Sequence, residues 1–436
     1  MKEFLLTFYK DAYIIILYTI VLLAIAIWKF RKNTEKDNIF TCENLFIMFY
    51  YIFLAIGPIY LVVAKDYTYN YNVFFIFLAG LICFLIGADF IIGNKIIKKK
   101  NDDEENVLST KKINFKNISK NAIIVLIISY LSIMIYLGKN IGYILQDFEN
   151  NRVLAMQGSG VLIHFGYMML PATWILYYCH LNYKNDKRIY LIYLIDIVFL
   201  LFVGFRSRIM ELLLVAIIIK NYHKPFKINK LFIYGISLIV IVSFLQIVRT
   251  YVSSGNFDLG IDSIVNTMAV NSINLKSIFR VFPQNVSFQY GYTYLLSFMM
   301  LLPGNSMDAT LWLKEALNLS FAGGGVTPSI LGEFFINFGY AGIFICMLLL
   351  GMMCRLIDNF GKQTKCNKMI YFIISFYLAR SVSSGISNFI ILMLWFVVVS
   401  FCVFKFKIEG IGRYKNDKKD IYENILKDDN EISKSK

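Results

Sequence analysis

Apolar runs of 14 to 22 residues, separated by short blocks of charge, leave this chain one class of fold, a bundle of membrane-spanning helices. Hydrophobic residues make up 58% of the 436, too many for a soluble domain of this length to bury. A net charge of +15 would suggest nucleic acid in a soluble protein. Here the basic blocks alternate with spans, and no basic helix is interleaved with exposed aromatics, so a nucleic-acid partner is excluded. The seven cysteines show neither CxxC nor zinc-like spacing, so neither a disulfide framework nor a metal site is expected. No cofactor is expected either. The first apolar run lacks a small-residue cleavage site and reads as a retained helix.

Spans are expected near 12–29, 44–63, 73–92, 122–137, 161–181, 190–203, 209–219, 231–248, 329–354, 369–379 and 388–406. This makes an all-α polytopic membrane protein of about eleven helices, N-terminus out and C-terminus in, within a single integral membrane domain over 1–406. On that arrangement every internal segment is basic, from Lys29–Lys36 through Lys95–Lys120, Lys184–Arg188, Lys220–Lys230 and Arg355–Lys368 to the tail from Lys405. Fusing 190–219 into one helix would throw KNYHKPFKINK outside, so two helices are preferred. Outside lie a loop at 138–160, a GFRSR turn at 204–208, a long segment at 249–328 and the RSVSSGIS turn at 380–387. Within the long segment, residues 290–303 are too short to span and are expected to lie in the interface or dip into it. Residues 407–436 read as a disordered cytoplasmic tail.

Six of the ten arginines but only six of the thirty-four lysines fall outside on this topology. Lysine is spent on orientation, and arginine is kept where charge is expensive and a planar fork is useful. Arg208 lies twelve residues from Lys220, about 18 Å up a hydrocarbon core of about 30 Å, and Arg380 stands at a similar height above Lys368. Arg249 ends a full-length helix. Short helices and buried arginines imply a water-filled cavity open to the outside. Glu211, three residues after Arg208, is a natural helix-local partner for it, while Arg206, Arg249 and Arg380 have none nearby. Arg152 and Arg280 sit on loops, where solvation is the plainer account.

Gly323, Gly324 and Gly325 lead into Thr327 and Pro328, an N-cap and N1 pair that would start a helix on the outer side and could cradle phosphate. Glu333, inside that helix, is ionisable at membrane depth and so a functional candidate, an ion pair being the competing account. His164 ends its helix near the interface, where simple hydrogen bonding competes with a catalytic role. Asp196 and Asp89 fall within spans and carry no catalytic assignment. Tyrosines at 66–72 and at Tyr290, Tyr292 and Tyr294 read as an interfacial belt, with sugar stacking the second account.

The stretches GGGVTPSILGEFFINFGYAGIF, GFRSRIMELLL and YGYTYLLSFMMLLP, with the many-helix layout and one long external loop, resemble the Wzy-type oligosaccharide repeat-unit polymerases of O-antigen and capsular polysaccharide. The resemblance implies a glycosyltransferase at the outer face of the cytoplasmic membrane, moving a growing glycan from undecaprenyl pyrophosphate onto a newly flipped lipid-linked repeat unit. Its expected partners are that lipid-linked oligosaccharide, the membrane lipids, a flippase and a chain-length regulator. The family's arginine-bearing turn maps to Arg206 and Arg208. With Arg249, Arg380 and Arg280 these would bind the pyrophosphate, and Glu333, then Glu211, then His164 would accept the acceptor's proton. No basic residue directly follows Pro303, where many members carry one, so that stretch receives no phosphate role. A ligase-like glycan transferase would share cavity and leaving group. A lipid-linked oligosaccharide flippase should show two similar halves and no long loop.

Overall fold

The computed structural model describes residues 17–31, 38–55, 59, 71–90, 115–146, 155, 159–183, 186–204, 206–226, 229–230, 233–238, 240–241, 243–244, 247, 261–299, 307–320, 324–363 and 365–404. Among these the secondary structure is helical throughout, without a strand. The helices are α1 (17–31), α2 (Cys42–Tyr50, running on into a π-helical turn, Tyr51–Ala55), α3 (Tyr71–Phe90), α4 (Phe115–Gln146), α5 (Gly160–Tyr167) and α6 (Met169–Asn182). They continue with α7 (Arg188–Val203), α8 (Arg206–His223), α9 (Ile261–Val281), α10 (Tyr292–Met299), α11 (Ala309–Ala316), α12 (Ser329–Gln363), α13 (Lys365–Ser384) and α14 (Ile386–Phe404).

Four helical stretches, Phe115–Ile144, Gly160–Asn182, Ser329–Gly361 and Ile386–Phe404, are long and apolar enough to cross a membrane. Their outer faces fit a lipid solvent: Ile124, Ile127, Leu131 and Ile135 on α4 stand about half exposed in one stripe. Two groups of helices form the bundle. One packs α2, α3, α12 and α13, the other α4, α5, α6, α8 and α14, and contacts of α13 with α14 and α8 join them.

Where 190–219 could have been one helix, the chain makes two. Gly204, at φ 81°, closes α7 by donating to the carbonyls of Leu200 and Leu201 at 3.0 and 2.9 Å, and α8 begins at Arg206. The expected turn at 204–208 is therefore narrower, because a single left-handed glycine suffices to end a helix. The same holds at the expected 380–387 turn. Helix α13 runs to Ser384 and breaks only at Gly385, φ 90°, so Arg380 lies within a helix.

The expected single span at 329–354 is corrected. Helix α12 is two limbs joined at Gly339, whose φ of 65° and ψ of −155° no helix can hold. Leu331 meets α3 at Gly80, and Leu348 meets it at Gly87. Seven residues of α3 cover about 10 Å, whereas seventeen residues of an unbroken helix would cover about 26 Å. A side chain on Gly342 would strike the Phe334 carbonyl, about 12 Å away in a straight helix, and the rings of Phe335 and Tyr340 lie 5.0 Å apart. Residues 329–338 thus fold back alongside 340–363.

Breaking a helix frees carbonyls, and the segment before α10 takes them. Gln289 and Tyr290 donate their N–H groups to Ile336 and Asn337 at 3.0 and 3.1 Å, and Gly291 donates to Asn337 Oδ1 at 2.8 Å. The expected interfacial segment at 290–303 accordingly begins as a cap on the re-entrant limb and continues as α10, which packs on α14 and leaves Leu295 and Phe298 exposed.

At the other end of the bundle Lys29 is fully buried between Glu43, at 2.5 Å, and Asp89, at 2.9 Å. It was expected to mark a basic loop and is instead the centre of an ion triad. Nearby, Asp358 accepts from the Cys42 N–H at 2.8 Å and the Tyr371 hydroxyl at 2.7 Å. A cavity of about 160 Å³ lies beside this network, with Lys368 and Asn38 in its wall.

Candidate functional site: an arginine pair on one carboxylate

Arg208 stands in the first turn of α8 because Gly204 ends α7 so abruptly, and Glu211 follows on the same helical face. Arg208 Nη1 donates to Glu211 Oε2 at 2.9 Å. Arg380 arrives from α13, five residues before the Gly385 break, and its Nε lies 2.8 Å from Glu211 Oε1. That second contact is an ion pair without hydrogen-bond alignment, since Oε1 has no hydrogen-bond partner. Arg380 Nη1 is buried and also without one among the described residues.

The three side chains are only 8%, 5% and 15% exposed. In so dry a place two guanidiniums and one carboxylate carry a net positive charge whose field is poorly screened. Tyr167, at the end of α5, lays its ring over Arg208 with the guanidinium carbon 4.5 Å from the centroid. Tyr377 and His164 are further electrostatic neighbours of Arg208. His164 lies 5.9 Å from Trp395 in near-parallel stacking, and its Nδ1 is buried without a hydrogen-bond partner among the described residues.

The structure thus joins Arg208, Glu211 and Arg380, with His164 beside them. An open water-filled cavity of unpaired cations was expected; among the described residues the cluster is closed and its cations share Glu211. The reason is tertiary, since Arg380 finds on α8 the acidic partner absent from its own helix. Arg280 is exposed at the end of α9 and forms no ion pair with the cluster. Arg206 opens α8, with only its backbone described, and Arg249 and Gly323 lie outside the described residues.

In the glycine-rich entry, Gly325 is held by packing. Gly325 sits against Thr310, where a Cβ would strike its hydroxyl and backbone, and Val326 donates to the Thr310 carbonyl at 2.9 Å. Gly324 faces open space. Thr327 is not the cap that was expected. Ser329 is, its Oγ accepting from the Gly332 N–H at 3.3 Å, because the chain enters the helix two residues later.

Glu333 is wholly buried on the re-entrant limb. Its Oε2 accepts from the Ser387 N–H at 3.0 Å, an otherwise unpaired amide in the first turn of α14. A side chain on Gly385 would collide with the same oxygen. Among the described residues Oε1 has no hydrogen-bond partner, although the Thr293 hydroxyl, which accepts from Asn337 at 2.7 Å, can turn its proton towards the carboxylate. Glu333 therefore fastens α12 to the start of α14. Gly385, packed against this carboxylate, follows the end of α13 five residues after Arg380, about 7.5 Å along the helix axis.

Sequence reasoning passed over Tyr167 and Trp395, since an aromatic on an apolar helix carries no signal of what it will face. Asp196 does find neighbours, accepting from Tyr130 on α4 at 2.6 Å and Thr173 on α6 at 2.7 Å.

No curated protein and no solved structure matches the chain. One family description does, over residues 3–408 and so over nearly the whole length, including every helix that contributes to the cluster. The all-helical apolar bundle and this match agree, and the chain belongs to the family of the O-antigen polysaccharide polymerase Wzy.

Proposed function

We propose that the protein polymerises undecaprenyl-pyrophosphate-linked oligosaccharide repeat units into surface polysaccharide at the outer face of the bacterial cytoplasmic membrane. The observation that carries this reading is the convergence of two buried arginines from separate helices on one carboxylate, which among the described residues leaves net positive charge and an Arg380 Nη1 without a hydrogen-bond partner. A diphosphate is the anion such a pair of forks suits, because each guanidinium can grip two oxygens and neither titrates.

In the reaction the acceptor sugar's hydroxyl oxygen attacks the anomeric carbon of the growing chain. The bond from that carbon to the pyrophosphate oxygen breaks, and undecaprenyl pyrophosphate leaves with the electron pair. Arg208 and Arg380 stabilise the developing charge, and Arg206 and Arg249 are carried as further pyrophosphate-binding residues on the family resemblance alone. Glu211 holds both forks in position until the diphosphate competes for them. His164 takes the hydroxyl proton at Nδ1, ahead of Glu333 and Glu211, because Glu333 is engaged by α14 and Glu211 is neutralised by two cations.

Deletion of the gene tests the reaction. Single repeat units, externally exposed and still transferable to the final acceptor, are expected. Units trapped inside would indicate a flippase, and full-length polymer retained on undecaprenyl pyrophosphate would indicate a ligase. Either result overturns the proposal.

A further inference from the structure

The cavity of about 160 Å³ beside Asp358 has room for about five water molecules. Four helices close it: Asn38 and Thr41 lead into α2, Tyr222 lies in the last turn of α8, Asp358 near the end of α12, and Lys368 and Tyr371 in the first turns of α13. Helices α8 and α13 also carry Arg208 and Arg380, about 21 Å and about 14 Å along their axes from Tyr222 and Tyr371. The cavity is therefore remote from the arginine pair.

Its walls hold opposite charges that do not meet. Asp358 is buried, accepts from the Cys42 N–H at 2.8 Å and the Tyr371 hydroxyl at 2.7 Å, and forms no ion pair among the described residues. Its charged neighbour Glu43 is another carboxylate. Glu43 shares Lys29 with Asp89, so this end of the bundle sets three carboxylates against one buried ammonium. Lys368, exposed at the mouth of the cavity, likewise has no ion-pair partner among the described residues. A buried carboxylate without a counter-ion is costly, and a cation in the cavity would lower that cost.

The uncharged groups favour the same occupant. The rings of Tyr222 and Tyr371 stand edge to face, 6.0 Å apart, and a ring face attracts a cation. The Thr41 hydroxyl accepts from the Asn44 N–H at 3.1 Å and donates to no partner among the described residues. Asn38 Nδ2 reaches the Asn221 carbonyl only at 3.5 Å. Both side chains have protons to give to an anion.

We propose that this cavity binds a short zwitterion, an aminoalkyl phosphate, with its ammonium beside Asp358 and the tyrosines and its phosphate at Lys368, Thr41 and Asn38. A cation alone would leave Lys368 unmatched, and an anion alone would face Asp358. Phosphoethanolamine is the simplest such ligand, either free or as the headgroup of a phospholipid. Bound there, it ties together the ends of α2, α8, α12 and α13 on the side away from the arginine pair. The site stands independently of the polymerase reading.

The test titrates the full-length protein, delipidated in detergent, with free phosphoethanolamine, short-chain phosphatidylethanolamine and the N-acetylated form of that lipid, and reads thermal unfolding. The N-acetylated lipid keeps the phosphate and loses the ammonium, so it should bind about tenfold or more weakly than its parent. Stabilisation by the free compound as well as the lipid assigns a soluble ligand, and stabilisation by the lipid alone assigns a headgroup. Asp358→Asn and Lys368→Glu should each weaken binding about tenfold. Asp358 also holds the start of α2, so if its variant fails to fold, the exposed Lys368→Glu decides. No stabilisation by either amine, the result for a cavity that holds only water, overturns the proposal. Equal binding of the N-acetylated lipid, or wild-type affinity in Lys368→Glu, overturns it as well.

Discussion

Arg380 and Arg208, from helices that meet only in the folded protein, hold the two oxygens of Glu211 at 2.8 and 2.9 Å. Removing the carboxylate leaves two desolvated cations facing one another. Glu211→Gln should cost about 3–5 kcal/mol, and the double variant Glu211→Gln with Arg380→Met should recover part of that loss. Thermal unfolding of the purified protein in detergent reads both. A single variant as stable as the wild type would contradict a buried, charge-compensated cluster.

Arg208→Lys keeps the charge and loses both the planar fork and its stacking on Tyr167. Repeat-unit incorporation should fall by about 10²-fold or more at unchanged protein level. Polymer of normal length would argue against bidentate phosphate binding.

Glu333 offers a choice between fastening and catalysis. The Glu333→Gln side chain still presents an oxygen to the Ser387 N–H, so polymerisation should stay within about tenfold of wild type, whereas Glu333→Ala should lose about 1–3 kcal/mol of stability. A collapse of activity in the Gln variant, with folding intact, would restore Glu333 as the base. His164→Ala should in that case be nearly silent, and on our assignment it should not.

Gly339 holds a backbone conformation that only glycine adopts readily, with Phe288 packed where a side chain would begin. Gly339→Ala should cost about 1–3 kcal/mol and loosen the re-entrant limb, visible as faster protease cleavage within 324–345. Unchanged cleavage would mean that the fold-back does not depend on this residue.

Lys29→Met withdraws the buried cation that pairs with both Glu43 and Asp89. A loss of about 3–5 kcal/mol is expected in the same unfolding assay. Partial recovery in the Lys29→Met variant with Glu43→Gln added would assign the loss to uncompensated charge, and no recovery would assign it to packing.

Helices were legible because hydropathy and the lengths of apolar runs report directly on burial in lipid. The spans at 190–203 and 209–219 were separable by the basic segment beyond them, and the break at Gly204 came only from the structure. The Arg208–Glu211 pair was legible as well, since three residues on a helix share a face. The Arg380–Glu211 pair was not: 169 residues separate its members, and nothing near Arg380 announces an acid. Nor was the fold-back at Gly339, because FINFGYAGIF is evenly apolar and a glycine within such a run is as common in straight helices. Glu333 was read as deep and ionisable, which holds, but its engagement with α14 depends on which helix end is brought against it.

From the sequence alone came the helical membrane bundle, the concentration of lysine in connecting segments and the recessed arginines, because these follow from local hydropathy and from counting residues along a helix. Only the tertiary structure decided which charges meet. Coulomb attraction and desolvation act over a few ångströms between side chains, and those distances are set by helix packing, by one glycine that turns a helix back and another that ends it beside its neighbour. Two of the arginines expected to await an anion in an open cavity, Arg208 and Arg380, are for that reason already gathered on Glu211.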